Sequence, residues 1–181
     1  MRNSFVLMAS YNTWMNAKVY EAAGQLSTDE LSADKGAFFG SVLGTLNHLL
    51  VADRIWLQRF AAHMPADEAL APVRLLRRPQ ALNERLFADF AQMRENREML
   101  DGVIEQWVGG LTDSSLGETF CYATMKGERF CKRLASVLLH FFNHQTHHRG
   151  QVTTLLSQFG KDVGVTDLLV RVPNEQDTTS A

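Results

Sequence analysis

Four of the chain's six histidines fall within nine residues of the stretch HFFNHQTHHRGQ, at positions 140, 144, 147 and 148. Neutral imidazole is the commonest transition-metal ligand among side chains, and it also exchanges protons near neutral pH. Residues four apart on an α-helix lie above one another, so His140, His144 and His148 share a stripe with Val137, Phe141, Val152 and Leu155. The apolar members of that stripe must face a core, which turns the imidazoles inward or toward the mouth of a helical assembly. An H-x-x-x-H pair on one face can present two nitrogens to a single ion, and two pairs are available: His140 with His144, or His144 with His148.

A transition ion held firmly needs at least a third protein ligand. The best remote candidate is His48, set among apolar residues in TLNHLLVADRIW, whereas His63 lies at a helix end beside Pro65. A lone histidine on an apolar face is more often a packed core residue, so spacing by itself leaves a structural reading beside the metal one. Other templates fit worse. The chain has no Glu-x-x-His for a di-iron bundle, no H-E-x-x-H, no zinc-ribbon cysteine spacing, no G-x-S-x-G and no phosphate-cradling glycine loop.

Apolar residues recurring every three or four positions predict the helices that must carry these groups, over 3–24, 37–63, 81–107 and 132–159. Gly24 can close the first, and Ser27 or Asp29 can start a short turn after it. Pro65, Pro72 and Pro79 punctuate a connection long enough to cross over along a bundle. The third helix is read to stop at Gly109 and Gly110, and ETFCYATMKGERFCKRL suggests a small β-hairpin turning near Gly127. The expected fold is therefore all-α: a four-helix bundle with a long crossover connection and a small β-hairpin before the last helix. Its 181 residues, 45% of them hydrophobic, suit one domain over 1–170 followed by a polar tail, 171–181.

A net charge of -2 with dispersed acids and bases gives no basic footprint for duplex binding, so nucleic acid is not an expected partner. No apolar run approaches the roughly 20 residues that span a bilayer, and the N-terminus lacks a signal-peptide pattern, so a membrane is not expected either. Two cysteines, Cys121 and Cys131, are too few for a disulfide framework and suit a reducing, cytoplasmic setting. They are read as two small buried residues, although a three-residue loop at Met125, Lys126 and Gly127 would set them face to face. Trp14, Trp56 and Trp107 are read as core or dimer-interface residues.

Taken together, YNTWMN in the first helix, LGTLNHLLVADRIWLQRF in the second and HFFNHQTHHRGQVTTLLSQFG in the fourth resemble the DinB family over nearly the whole chain. The most specific part of the likeness is NHQTHHRGQ. The resemblance implies a four-helix bundle, often a homodimer, with a divalent metal, Zn or Ni, held by His48, His144 and the histidine directly before RGQ, His148. It leaves His140 and His147 as neighbours. It also implies kinship with transferases that use low-molecular-weight thiols such as bacillithiol, and with a mycothiol-dependent maleylpyruvate isomerase.

Three neutral imidazoles leave an ion its full charge and an open position, where a bound thiol or water becomes acidic. The expected function is therefore a metal-dependent transferase that activates a low-molecular-weight thiol for attack on an electrophilic small molecule. The alternatives are a non-catalytic, metal-binding, dimeric stress-response protein and a metal-dependent hydrolase. Asp53 and Gln151 are candidates to accept the ligands' other ring N–H. Asn47 and Asn143 precede histidines but point elsewhere on a helix, and Arg149 is read as structural.

Overall fold

The computed structural model describes residues 1–174. Among the described residues are seven α-helices and one antiparallel hairpin: α1 (Arg2–Ala23), α2 (Thr28–Ser32), α3 (Val42–His63), α4 (Ala71–Arg74), α5 (Phe90–Gly110), α6 (Asp113–Gly117), β1 (Thr119–Ala123), β2 (Arg129–Arg133) and α7 (Leu134–Ser157). The four long helices correspond to the four expected ones, and the hairpin precedes the last of them. A 3₁₀ turn, Leu168–Arg171, follows α7; the remainder of the expected polar tail lies outside the described residues from 175 onward.

Helix α1 packs on both α5 and α7, and α3 packs on α7 and α5. Their apolar stripes meet in a core where Phe60, Leu46, Leu50, Leu100, Ile104, Trp107 and Phe141 are almost wholly buried. Polar residues are buried there too. Arg97 of α5 is ion-paired to Asp53 of α3 and to Asp101 one turn along its own helix. Asn12 and Asn16 of α1 donate to Asp101, Gln145 of α7 donates to Asp53, and Arg149 donates to Asn12. Each charge buried in this network has partners from other helices, as burial demands. The Asp53–Gln145 bond ties together α3 and α7, the two helices that carry the clustered histidines.

Two helix starts differ from the expected ones. α3 begins at Val42 rather than 37, because Gly40 has a positive φ of 74° and Ser41 caps the first turn by accepting from Gly44 N–H at 3.0 Å. α5 begins at Phe90 rather than 81, capped by Asp89, whose side chain accepts from Gln92 N–H at 2.8 Å. Residues 81–89 form no helix and run as an irregular strap along α3. α5 ends at Gly110, as expected from the Gly109–Gly110 pair, and Leu111 leaves it in an extended conformation.

In the hairpin, Thr124 N–H donates to Glu128 and Gly127, with φ of 86°, completes a loop of Met125, Lys126 and Gly127. That loop sets Cys121 directly opposite Cys131, and the two are joined by a disulfide. Both cysteines are exposed, which corrects the buried, reduced reading. Strand alternation is the reason: Phe120 and Tyr122 turn toward the core, so the residue between them turns away.

Candidate metal centre

α3 and α7 bring His48, His144 and His148 together, with one ring nitrogen from each inside a sphere where all lie within 4.8 Å of one another. His48 is buried, and His144 and His148 are half-buried. His48 Nδ1 donates to the Leu82 carbonyl at 2.9 Å, which fixes the tautomer and leaves Nε2 with a free lone pair. That Nε2 lies 3.2 Å from His144 Nε2. Two nitrogens bound about 2.0–2.1 Å from one tetrahedral ion would be separated by about 3.3 Å, so the pair fits a shared ion. His148 Nδ1 contacts Gln151 Oε1 at 2.8 Å, while the Gln151 amide nitrogen lies 3.3 Å from His147 Nε2. These contacts orient both the amide and the His148 ring, the usual arrangement around a metal-binding imidazole. The three-histidine group is thus close enough to hold a metal ion.

Burial is the main influence on all three rings and disfavours their protonated forms. It lowers His48 and His148 from the ordinary histidine value. His144 is brought down to about 3, by burial first and then by His148, His48, His140 and His147. Imidazoles held neutral are the form in which histidine binds a cation.

Positioning depends on groups remote from the rings. Asn47 donates to the carbonyls of Leu43 and Phe87, both at 3.0 Å, and accepts from Phe87 N–H at 2.9 Å. It thereby clamps the 81–89 strap to α3, which delivers the Leu82 carbonyl to His48. On the other side of His48, the Phe39 ring stacks at a centroid distance of 3.8 Å. Gly44 allows this, because a Cβ there would overlap the Phe39 carbonyl.

Beside the cluster opens a cleft of about 450 Å³, walled by His48, His144, His140, Trp56 and Arg59 and by Met125 and Lys126 at the hairpin tip. Trp56 thus lines a cleft, whereas Trp107 is core as expected. Asp53 serves the buried network and makes no bond to the cluster, so of the two candidates only Gln151 contacts a clustered imidazole. Arg149 is structural, and Asn47 binds backbone, as read from sequence. His63 lies apart, edge-on to Phe120. The Leu82 carbonyl left no mark in the sequence, since any residue supplies one; Phe39 was signalled by the glycines flanking AFF.

The sequence profile described as DinB family matches residues 1–178. The chain belongs to the DinB family. It is similar to Protein DinB of Bacillus subtilis (strain 168), with 24% identity over 158 residues that cover 87% of each chain. No solved structure matches it. The DinB family match spans both histidine-bearing helices. No helix among the described residues is long and apolar enough to cross a membrane.

Proposed function

We propose that this DinB-family chain is a divalent-metal-binding enzyme that transfers a low-molecular-weight thiol onto an electrophilic small molecule, with Zn or Ni held by His48, His144 and His148. The observation that carries the reading is the set of converging ring nitrogens, two of the rings oriented by oxygens of the Leu82 carbonyl and Gln151, at the edge of a cleft of small-molecule size. When bound there, a divalent ion supplies Lewis acidity that makes a thiol a weaker holder of its proton.

The chain's own residues supply the rest. Phe39 and the strap shield one side of His48 from water, so approach is from the cleft. His140 stands on the cleft wall and is lowered from its ordinary value by burial first and by Arg59 second, which keeps the ring neutral beside the clustered histidines. Trp56, edge-on to His140, offers an apolar face to an electrophile. We take the four long helices as a bundle and the working unit as a cytoplasmic homodimer, for which exposed Phe38, Leu139 and Leu169 supply apolar surface.

The test is metal content per chain, by mass spectrometry, on protein purified without a tag or added metal, beside the His148→Ala variant. Near-stoichiometric metal in the parent, lost in the variant, is expected, followed by metal-dependent conjugation of a thiol to model electrophiles. Metal without conjugation of any biological thiol would leave the non-catalytic reading in place; a parent that binds neither Zn²⁺ nor Ni²⁺ would remove both. Sedimentation of the untagged chain checks the dimer.

A further inference from the structure

On the far side of Arg59 from the histidines lies a second and larger cleft, of about 690 Å³, between the end of α3, the α4 region and the hairpin. Four arginines line it: Arg59, Arg74, Arg78 and Arg129. No carboxylate does. Among the described residues none of the four forms a salt bridge, although other surface arginines of this chain, such as Arg77 and Arg94, have glutamate partners. In a chain of net charge -2, such a concentration is not a consequence of composition.

Converging guanidinium groups repel one another, and burial adds to the cost at Arg59. Arg59 is half-buried, packed with its guanidinium 4.6 Å from the Trp56 ring centre and 5.0 Å from that of Tyr122. These aromatic contacts fix its direction but satisfy no N–H. Its Nε is buried without a hydrogen-bond partner, as is Gln58 Oε1 in the same cleft wall. Arg74 donates to the Met64 and Asp67 carbonyls. That leaves Arg59, held in place by two aromatic rings, with Arg78 and Arg129 in the lining of the same cleft, a set of guanidinium groups of the kind that recognises planar or tetrahedral oxyanions.

Ile55 and Arg59 belong to the walls of both clefts. We propose that the arginine-lined cleft binds the anionic portion of a small organic molecule, carrying carboxylate or phosphate groups, whose other end passes Arg59 to reach the histidines. The first half stands on the arginine cleft alone; the second rests on the thiol-transfer reading, and makes one of its two reactants an anion.

Calorimetric titration of the full chain with methyl phosphate and, separately, with glutarate tests the first half without stripping metal from the histidines. One-site, saturable binding of at least one anion is expected, and the tighter of the two identifies the phosphate or carboxylate class. Arg59→Met and Arg129→Met should each weaken it roughly tenfold or more, as loss of a charge-assisted contact does. Arg129 is exposed on the hairpin, so its variant tests the cleft without endangering the core. Arg94→Met, which lies on α5, should bind as the parent does. His148→Ala should too, so failure of the metal reading leaves this result standing. Absence of saturable binding for both anions, or parental affinity in Arg129→Met, would overturn the proposal. For the second half, glutathione, a low-molecular-weight thiol that carries carboxylates, should protect His140 from diethyl pyrocarbonate where methyl phosphate does not; equal modification with and without glutathione would show that the two clefts are not bridged.

Discussion

His144 sits at the centre of the cluster and carries its most perturbed ring. Its folded-state value of about 3 lies below the ordinary 6.5, so between those values the folded chain binds fewer protons than the unfolded one. The stability that comes with neutral His144 is complete above about 6.5 and is lost as pH falls toward 3. In metal-free protein the melting temperature should therefore drop through that window, and His144→Leu should flatten the drop; parallel curves would show that His144 is not the titrating group. Gln151 tests orientation at the same scale. Gln151→Ala keeps all three candidate ligands but frees the His148 ring, and metal affinity should fall ~10–100-fold in a competition titration against a chromophoric chelator. An unchanged affinity would mean that the Gln151 contact has no part in holding the ring.

Among the elements, the turn preceding α3 and the 81–89 strap do most to shape the site, and neither is regular. Asn47 holds the strap by two hydrogen bonds to Phe87, and Gly44 admits the turn that lays Phe39 on His48. Gly44→Ala forces a Cβ into the Phe39 carbonyl, so urea unfolding should register a loss of ~1–3 kcal/mol, the cost typical of overpacking. Phe39→Ala removes the stacked ring without touching the backbone, and it should raise the rate at which a chelator extracts metal. Both elements were expected to be helical, since Leu82, Leu86 and Phe39 fit a three-to-four spacing. The capping residues Ser41 and Asp89 decided otherwise, by accepting from Gly44 N–H and Gln92 N–H and so fixing the first turns of α3 and α5 at Val42 and Phe90.

For the molecule as a whole, the buried network of Asp53, Arg97 and Asp101 joins the helices that an apolar core alone would leave free to slide. Arg97→Met would strand two buried carboxylates, and a loss of ~3–5 kcal/mol is expected from chemical denaturation. A second consequence should follow, because Asp53 also binds Gln145 of α7: metal affinity should weaken in Arg97→Met although the residue is remote from the histidines. Retention of both stability and affinity would mean that the network neither supports the core nor sets the register of α3 on α7. Saturation with Zn²⁺ at 100 times its dissociation constant should stabilise the parent by about 2.7 kcal/mol and the His148→Ala variant not at all.

What the sequence determined by itself was whatever depends on spacing along one segment. The stripe of His140, His144 and His148, the four long amphipathic helices and the hairpin preceding the last follow from local periodicity, which any contiguous stretch displays. Resemblance to a family then singled out His48, His144 and His148 from the pairs that spacing allowed. The tertiary structure alone decided what depends on neighbours distant in the chain. It gave Asp53 an arginine and a glutamine as partners rather than solvent, turned Cys121 and Cys131 outward and together, aimed a leucine carbonyl at His48, and gathered arginines from α3, α4, the strap's approach and β2 around one cleft. Backbone carbonyls carry no sequence signature, and a charge reads as surface until packing shows what opposes it; both facts come into being only when separate elements meet.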